Sequence, residues 1–325
     1  MPTFFMTLAK TKIRFRYRLE YALFRALDGI LAALPWNLIL TLGEMVGLLF
    51  WALDARHRRV VRRNLRSSNL SLTSKQIDGL TRHTFTHYGS FFLSLIKLRH
   101  ASREELQQWV HIRGLEYFDE AQREGKGFIQ LTGHYGHWEA IALAQSAEGR
   151  SLYVIGRALD NPLLEKISID FRTRMGNRVI LKDGALRESI KVLKEGCGVG
   201  FLLDQDGLGG GIFVKFLGQW ASTHPSAGAL VTKYQIPILP VFSWMDQGRI
   251  QVQFQPLVRI PNSGDVDRDT WVATQVMTRL LEAQIHQDPR WWFWLHNRFK
   301  TRPNPQDPGL SPLPPKEWVE LSKSI

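Results

Sequence analysis

Between residues 127 and 242 short apolar runs alternate with longer polar stretches that suit helices, and this texture restricts the fold more than any other feature. The runs are GFIQLTGH (127–134), SLYVIGR (151–157), RVILKD (178–183), GVGFLLDQD (198–206) and IPILPVF (236–242). Each is bounded by turn residues and separated from the next by 10–30 residues, the pattern of βαβ units on a largely parallel sheet flanked by helices. The expected fold class is therefore α/β. A further segment, RIQVQFQPLVRI (249–260), alternates Ile250, Val252 and Phe254, which predicts an antiparallel or edge strand. Residues 70–110 read as helical, with Ile77, Leu80, Tyr88, Phe91, Leu95 and Leu98 at helical spacing behind a possible cap at Ser71 or Thr73. His83 and His87 have a metal-compatible i, i+4 spacing, but no third ligand follows and they read as ordinary helix residues.

The N-terminal fifth has a different character. Residues 1–66 hold twelve Lys or Arg against four acids, in a chain whose net charge is +12. Such a segment seeks a polyanion, either nucleic acid or an anionic lipid surface. Its apolar neighbours favour lipid. Residues 29–43, GILAALPWNLILTLG, carry no charge, and MVGLLFWAL follows Glu44. That run is shorter than the roughly 20 residues that span a bilayer, is broken by Pro35, and is not followed by a cleavage site. Basic clusters flank it at 10–18 and 56–66, so a single span would export one of them. A helical segment lying in the interface keeps both on one side; a single pass over 29–51 or a buried helical hairpin are the alternatives. The lone Cys197 excludes an internal disulfide and reads as a buried small residue.

In parallel sheets, ligands gather beyond the carboxyl ends of strands. That position selects His134 after the first run, Arg157 after the second, and Asp204 and Asp206 after the fourth. Within GHYGHWE (133–139), His134 and Glu139 would lie about 140° apart on a regular helix. They meet only if His134 occupies the strand-to-helix turn and Glu139 the first helical turn. A carboxylate on one imidazole nitrogen would leave the other free to take a proton from a hydroxyl; His137 is a competing base. Asp204 and Asp206 are expected to orient Arg157 or an acceptor. The Gly207–Gly211 stretch lacks a phosphate-loop pattern and reads as a mobile loop. Trp291, Trp292 and Trp294 beside Arg290, Arg298 and Lys300 form either an interfacial belt or core.

Together these segments resemble the bacterial lipid A late acyltransferases, the lauroyl and myristoyl transferases of the wider glycerolipid acyltransferase superfamily. The resemblance rests on GHYGHWE, on Arg157, Asn161 and Pro162 (R-x-x-x-N-P), on LLDQD (202–206), on FVKFLGQWASTHPSAGALV (213–231), on IPILPVF and on DPRWWFWLHNRFKTRP (288–303), all in the family's order. The apolar segment, basic run and Asn64-Leu65 extend it to about residue 15. It implies a glycerolipid-acyltransferase-like domain and transfer of a fatty acyl chain from acyl carrier protein, or acyl-CoA, to a hydroxyl of a phosphorylated glucosamine lipid. It also implies His134 as base with Glu139 as its partner, and Arg157, Asn161, Asp204, Asp206, His296, Arg298 and Lys300 as substrate-binding residues. LLDQDGLGGG in place of an F-P-E-G-T-R type block disfavours a glycerol-phosphate acceptor. A thioester donor is already activated, so no cofactor and no metal is expected.

The expected organisation is a membrane-associating segment (1–66), an acyltransferase domain (67–303) and a proline-rich tail (304–325), at the cytoplasmic face of a bacterial inner membrane. Transfer to another glycolipid, such as a phosphatidylinositol mannoside, is the competing enzyme. A non-catalytic membrane-surface binder is the competitor from another class. Nucleic acid is not an expected partner, because the basic residues are interleaved with apolar runs.

Overall fold

The run FIQLT is buried at all five positions, as a strand covered on both faces requires, and the rest of the domain is arranged around it. A computed structural model describes residues 14–181, 184–303 and 313–325. Lys10 and Lys12 of the first basic cluster, the end of RVILKD and most of the proline-rich stretch lie outside the described residues.

Four helices come first: α1 (Phe15–Ala33), α2 (Trp36–Leu53), α3 (Ala55–Ser67) and α4 (Ser74–His100). Then follow α5 (Arg103–Trp109), β1 (Val110–Arg113), α6 (Leu115–Arg123), β2 (Phe128–Thr132), α7 (Trp138–Ala147), β3 (Tyr153–Gly156), α8 (Pro162–Thr173), β4 (Arg178–Leu181), α9 (Ala185–Lys194) and β5 (Gly198–Leu202). The chain continues with β6 (Ile212–Phe216), β7 (Gln219–Thr223), α10 (Ser226–Tyr234), β8 (Ile238–Asp246), β9 (Arg249–Phe254), α11 (Val266–Gln287) and α12 (Lys316–Ser324).

Seven strands form one sheet in the order β1-β9-β8-β2-β5-β3-β4. β8, β2, β5, β3 and β4 run parallel. β9 returns antiparallel to β8, as its alternating pattern predicts, but it is not the edge, because β1 pairs outside it. Helices cover the two faces of this sheet with separate clusters of buried side chains. β6 and β7 form a separate antiparallel hairpin that packs on α11, where Gln275 bonds both the amide and the carbonyl of Lys215.

A third apolar cluster joins α3 and α4 to the C-terminal tryptophans. Trp291, Trp292 and Trp294 are buried there, so they are core and not an interfacial belt. His83 and His87 pack edge-on to Trp291 at 5.1 and 4.9 Å. The tail is not irregular throughout, since α12 docks on α11 through Trp318 against Trp271.

The first helices are bonded to this body. Thr73 and Gln76 close a capping box that starts α4. α2 lies against α4 with almost no side chain between the backbones. A Cβ on Gly47 would come within 2.2 Å of the Phe85 carbonyl oxygen, and one on Gly89 within 2.1 Å of that of Gly43. Small residues at i, i+4 permit this approach. Buried Asp28 of α1 accepts from Arg99 and His100 of α4, and Lys97 donates to the Ala32 carbonyl. The outward faces remain apolar: Phe15, Leu19, Leu23, Leu27 and Ile30 on α1, and Leu38, Met45, Leu49, Phe50 and Leu53 on α2, are exposed. Only α2, among the described residues, is long and apolar enough to cross a membrane.

Gly47→Val forces a side chain into the α2–α4 contact and is expected to cost about 1–3 kcal/mol. Gly79→Ala, which meets nothing within 4 Å, is expected to be neutral or stabilising by up to about 1 kcal/mol. Thermal unfolding of both variants checks the pair.

Candidate active site

The centre of the site follows from strand register. β2 pairs with β5 from Phe128↔Gly198 to Thr132↔Leu202. Two residues beyond that ladder on each strand stand His134 and Asp204. The two meet: His134 Nδ1 lies 2.8 Å from Asp204 Oδ1, and the His134 backbone N–H donates to Asp204 Oδ2 at 2.7 Å. The indole N–H of Trp292 donates to the same Oδ2 at 2.8 Å.

Burial alone would push the Asp204 carboxyl up, but the charge and hydrogen bonds of His134 and the Trp292 bond hold it at about 2. Burial likewise pushes the His134 imidazole down, and Asp204, with a smaller contribution from Glu139, outweighs it and raises the pKa. A buried carboxylate on Nδ1 fixes the proton there, leaving the Nε2 lone pair as acceptor. The Gln205 amide donates to Nε2 at 3.3 Å from an exposed position, where an incoming hydroxyl can replace it. Trp138 and Phe293 flank the ring at 4.8 and 6.1 Å.

Glu139 does not partner His134. It stands in the first turn of α7, as expected, but its carboxylate turns to α8. There Arg172 Nη2 and Nε donate to it at 2.5 and 3.1 Å, a bidentate pair. Arg172 is a residue that sequence reasoning missed. Its guanidinium lies over Gly156 at the end of β3, where a Cβ would meet Arg172 Nη1 at 2.9 Å, and that glycine is the available signal. His137 is excluded as a base. It is buried, its Nε2 is bonded to Ser94 Oγ at 2.8 Å, and burial pushes its pKa to about 3.

The remaining residues divide between structure and surface. Asp206 accepts from Leu208 N, Thr301 N and Thr301 Oγ1, so it fastens the C-terminal segment and does not orient Arg157. Arg298 is fully buried and donates to the Ser222 carbonyl and Thr223 Oγ1. Burial lowers its pKa to about 10 against the opposing charges of Asp204 and Asp206; it is an internal cation, out of reach of a lipid. His296 is within electrostatic range of Asp204 and His134, and burial keeps its pKa low. Asn161 caps α8 and donates to Tyr17 O and Glu20 Oε2, tying α1 to the domain in place of holding substrate. Arg157 and Lys300 are exposed and have no side-chain partner among the described residues. Arg157 follows β3, at the same sheet edge as His134. The Gly207–Gly211 stretch contains a short 3-10 turn at Leu208–Gly210.

Known proteins match the sequence along most of the chain. The sequence profile of the family described as bacterial lipid A biosynthesis acyltransferase covers residues 8–301. A lipid A biosynthesis acyltransferase of Haemophilus influenzae is 26% identical over 296 residues, covering 85% of this chain and 89% of the relative. The lipid A biosynthesis lauroyltransferase of Escherichia coli K12 is 24% identical, covering 84% and 89%. Among solved structures, the 1-acyl-sn-glycerophosphate acyltransferase of Thermotoga maritima aligns with a TM-score of 0.37 at 13% identity, over 76% of this chain and 95% of that one. The profile match across residues 8–301, with relatives named as acyltransferases over more than four fifths of the chain, makes this an acyltransferase. The chain belongs to the bacterial lipid A biosynthesis acyltransferase family.

Two variants separate the carboxylates. Asp204→Asn removes the charge that raises His134, so the acidic limb of kcat/KM against pH is expected to move to lower pH while the plateau falls. Glu139→Gln leaves that limb nearly in place but leaves Arg172 without its ion pair, with a stability loss of about 1–3 kcal/mol. A pH–rate profile and a melting curve for each variant check the assignment.

Proposed function

We propose that the protein transfers a fatty acyl group from an acyl carrier protein thioester, or acyl-CoA, to a hydroxyl of a phosphorylated glucosamine lipid in lipid A synthesis. It works at the cytoplasmic face of a bacterial inner membrane. The observation that carries this reading is the His134–Asp204 pair, with Nδ1 held at 2.8 Å and Nε2 facing outward. Nε2 takes the proton of the acceptor hydroxyl as its oxygen attacks the thioester carbonyl. The new C–O bond forms, the C–S bond breaks, and the departing thiolate recovers the proton from the imidazolium. No covalent enzyme intermediate is needed, because the donor is already activated.

Asp204 stabilises the imidazolium, and the raised His134 pKa keeps the proton available for the leaving thiolate. Trp138 and Phe293 supply apolar surface beside the reacting carbon, where an acyl chain can lie. Glu139 adds negative charge near His134 and anchors Arg172. Exposed Arg157 remains our candidate for an acceptor contact.

Membrane attachment is supported by the exposed apolar residues of α1 and α2 beside the arginines of α3. Because α2 is held against α4 along its glycines, we favour a helix pair lying on the bilayer over a single span. Leu19→Glu with Leu49→Glu is expected to shift most of the protein from the membrane pellet to the soluble fraction; unchanged sedimentation of a folded double variant would place the anchor elsewhere.

Purified protein given acyl carrier protein donors and a phosphorylated glucosamine lipid should add one acyl mass by mass spectrometry. His134→Ala is expected to lose about 10²–10⁴-fold in rate. Acylation of an inositol mannoside in place of that acceptor would move the enzyme to the competing glycolipid.

A further inference from the structure

The arginines of α3 are not distributed around the helix. Arg56, Arg59, Arg63 and Arg66 are exposed and follow at intervals of three, four and three, one stripe along a helix. Val61, Asn64 and Leu65 face the interior. Arg59, Arg62, Arg63 and Arg66, with Ser67 and Asp78, line a notch of about 500 Å³. Asp78 is the one acid in that lining and accepts from Arg62 Nε at 2.9 Å. Arg63 Nη2 donates to Asn297 Oδ1 at 2.5 Å. Two guanidiniums are thus held in place, while Arg59 and Arg66 have no side-chain partner among the described residues. Four cations face one small concavity with a single carboxylate, so a bound anion would relieve the repulsion that remains.

The surroundings narrow the choice of anion. Asn64, on the same helix, donates to the carbonyls of Trp294 and His296 at 2.9 and 2.8 Å. The neighbouring Phe293 N–H donates to the His134 carbonyl at 2.9 Å. α3 is therefore bonded, through residues 293–297, to His134, and Arg63 of the notch reaches the same segment at Asn297. On its other side α3 follows directly from α2, whose last turns expose Phe50 and Leu53. α3 thus carries the notch on its outer face and is bonded through its inner face to the segment that reaches His134.

We infer that this notch binds a phosphomonoester on the sugar head of the lipid acceptor. The inference rests on the acceptor class proposed above and adds the place where its phosphate is held. The guanidinium forks match phosphate oxygens, and the volume suits a sugar-phosphate head group. An acidic carrier protein would need the charges spread along an open ridge, whereas three of the four stripe arginines turn into one recess. Holding the phosphate there fixes its distance from His134 Nε2, so it selects which hydroxyl is presented.

The test uses full-length protein and phosphatidylcholine vesicles doped with a diglucosamine bisphosphate lipid or its dephosphorylated counterpart, with no donor present. Wild type should prefer the phosphorylated lipid, and R59Q/R66Q should lose about tenfold or more of that preference. R56Q, on the same stripe but outside the notch, should keep it. Equal loss in R56Q, equal loss on phosphatidylglycerol vesicles, or, in a separate turnover assay with donor added, a variant whose only defect is a raised KM for the carrier-protein donor would each overturn the inference. If wild type binds the phosphorylated lipid through the notch yet acylates no such lipid, the functional reading fails and this one stands.

Discussion

A carboxylate taken out of water must have its charge and its lone pairs answered, and Asp204 is 4% exposed. Its partners are the amide and imidazole of His134 and the indole of Trp292. These bonds join three parts of the chain far apart in sequence: the turn after β2, the end of β5 and the C-terminal aromatic segment. Arg298, also buried, adds positive charge from behind. The packing that makes the pair stable also gives it chemistry, because a carboxylate so held cannot release the imidazole to another tautomer.

The C-terminal segment reinforces this centre by running back along the same edge of the sheet. Tyr135 and Trp292 form an isolated antiparallel bridge, and the Gly136 N–H donates to the Trp291 carbonyl at 2.8 Å. Gly136 has φ +58°, and a Cβ there would come within 1.8 Å of the Ser243 carbonyl oxygen, so the turn can close only over glycine. Thr301 is held by both oxygens of Asp206. Residues that read as ligands for a substrate are, in the folded chain, ties that keep this return segment in place.

Period and punctuation made β2, β3, β4, β5, β8 and β9 legible in the sequence, and with them the edge where His134, Arg157 and Asp204 gather. β1 was hidden because its four residues follow α5 with no turn residue between. The β6–β7 hairpin was hidden by its turn. Leu217 and Gly218 both have positive φ, 48° and 79°, which suits a two-residue hairpin, but leucine is a poor signal for one. The partner of His134 was misread for a related reason. Glu139 is five residues away and Asp204 is 70, and only the register of two non-consecutive strands brings the distant one closer. Arg172 left only Gly156 as a sign in the sequence, since its place depends on how α8 packs over the end of β3.

The glycine contact between α2 and α4 brings the two backbones together with no side chain between them. α4 carries Tyr88, whose hydroxyl donates to the Trp291 carbonyl at 2.9 Å, and Phe91, whose ring lies 4.1 Å from that of Trp138. The exposed apolar face of α2 is therefore continuous, through backbone contact and then aromatic packing, with the ring that flanks His134. If that face lies on a bilayer as we propose, the His134–Asp204 pair and the surface it rests on move as one body, and the helices stacked between them, in place of a tether, set the distance from one to the other.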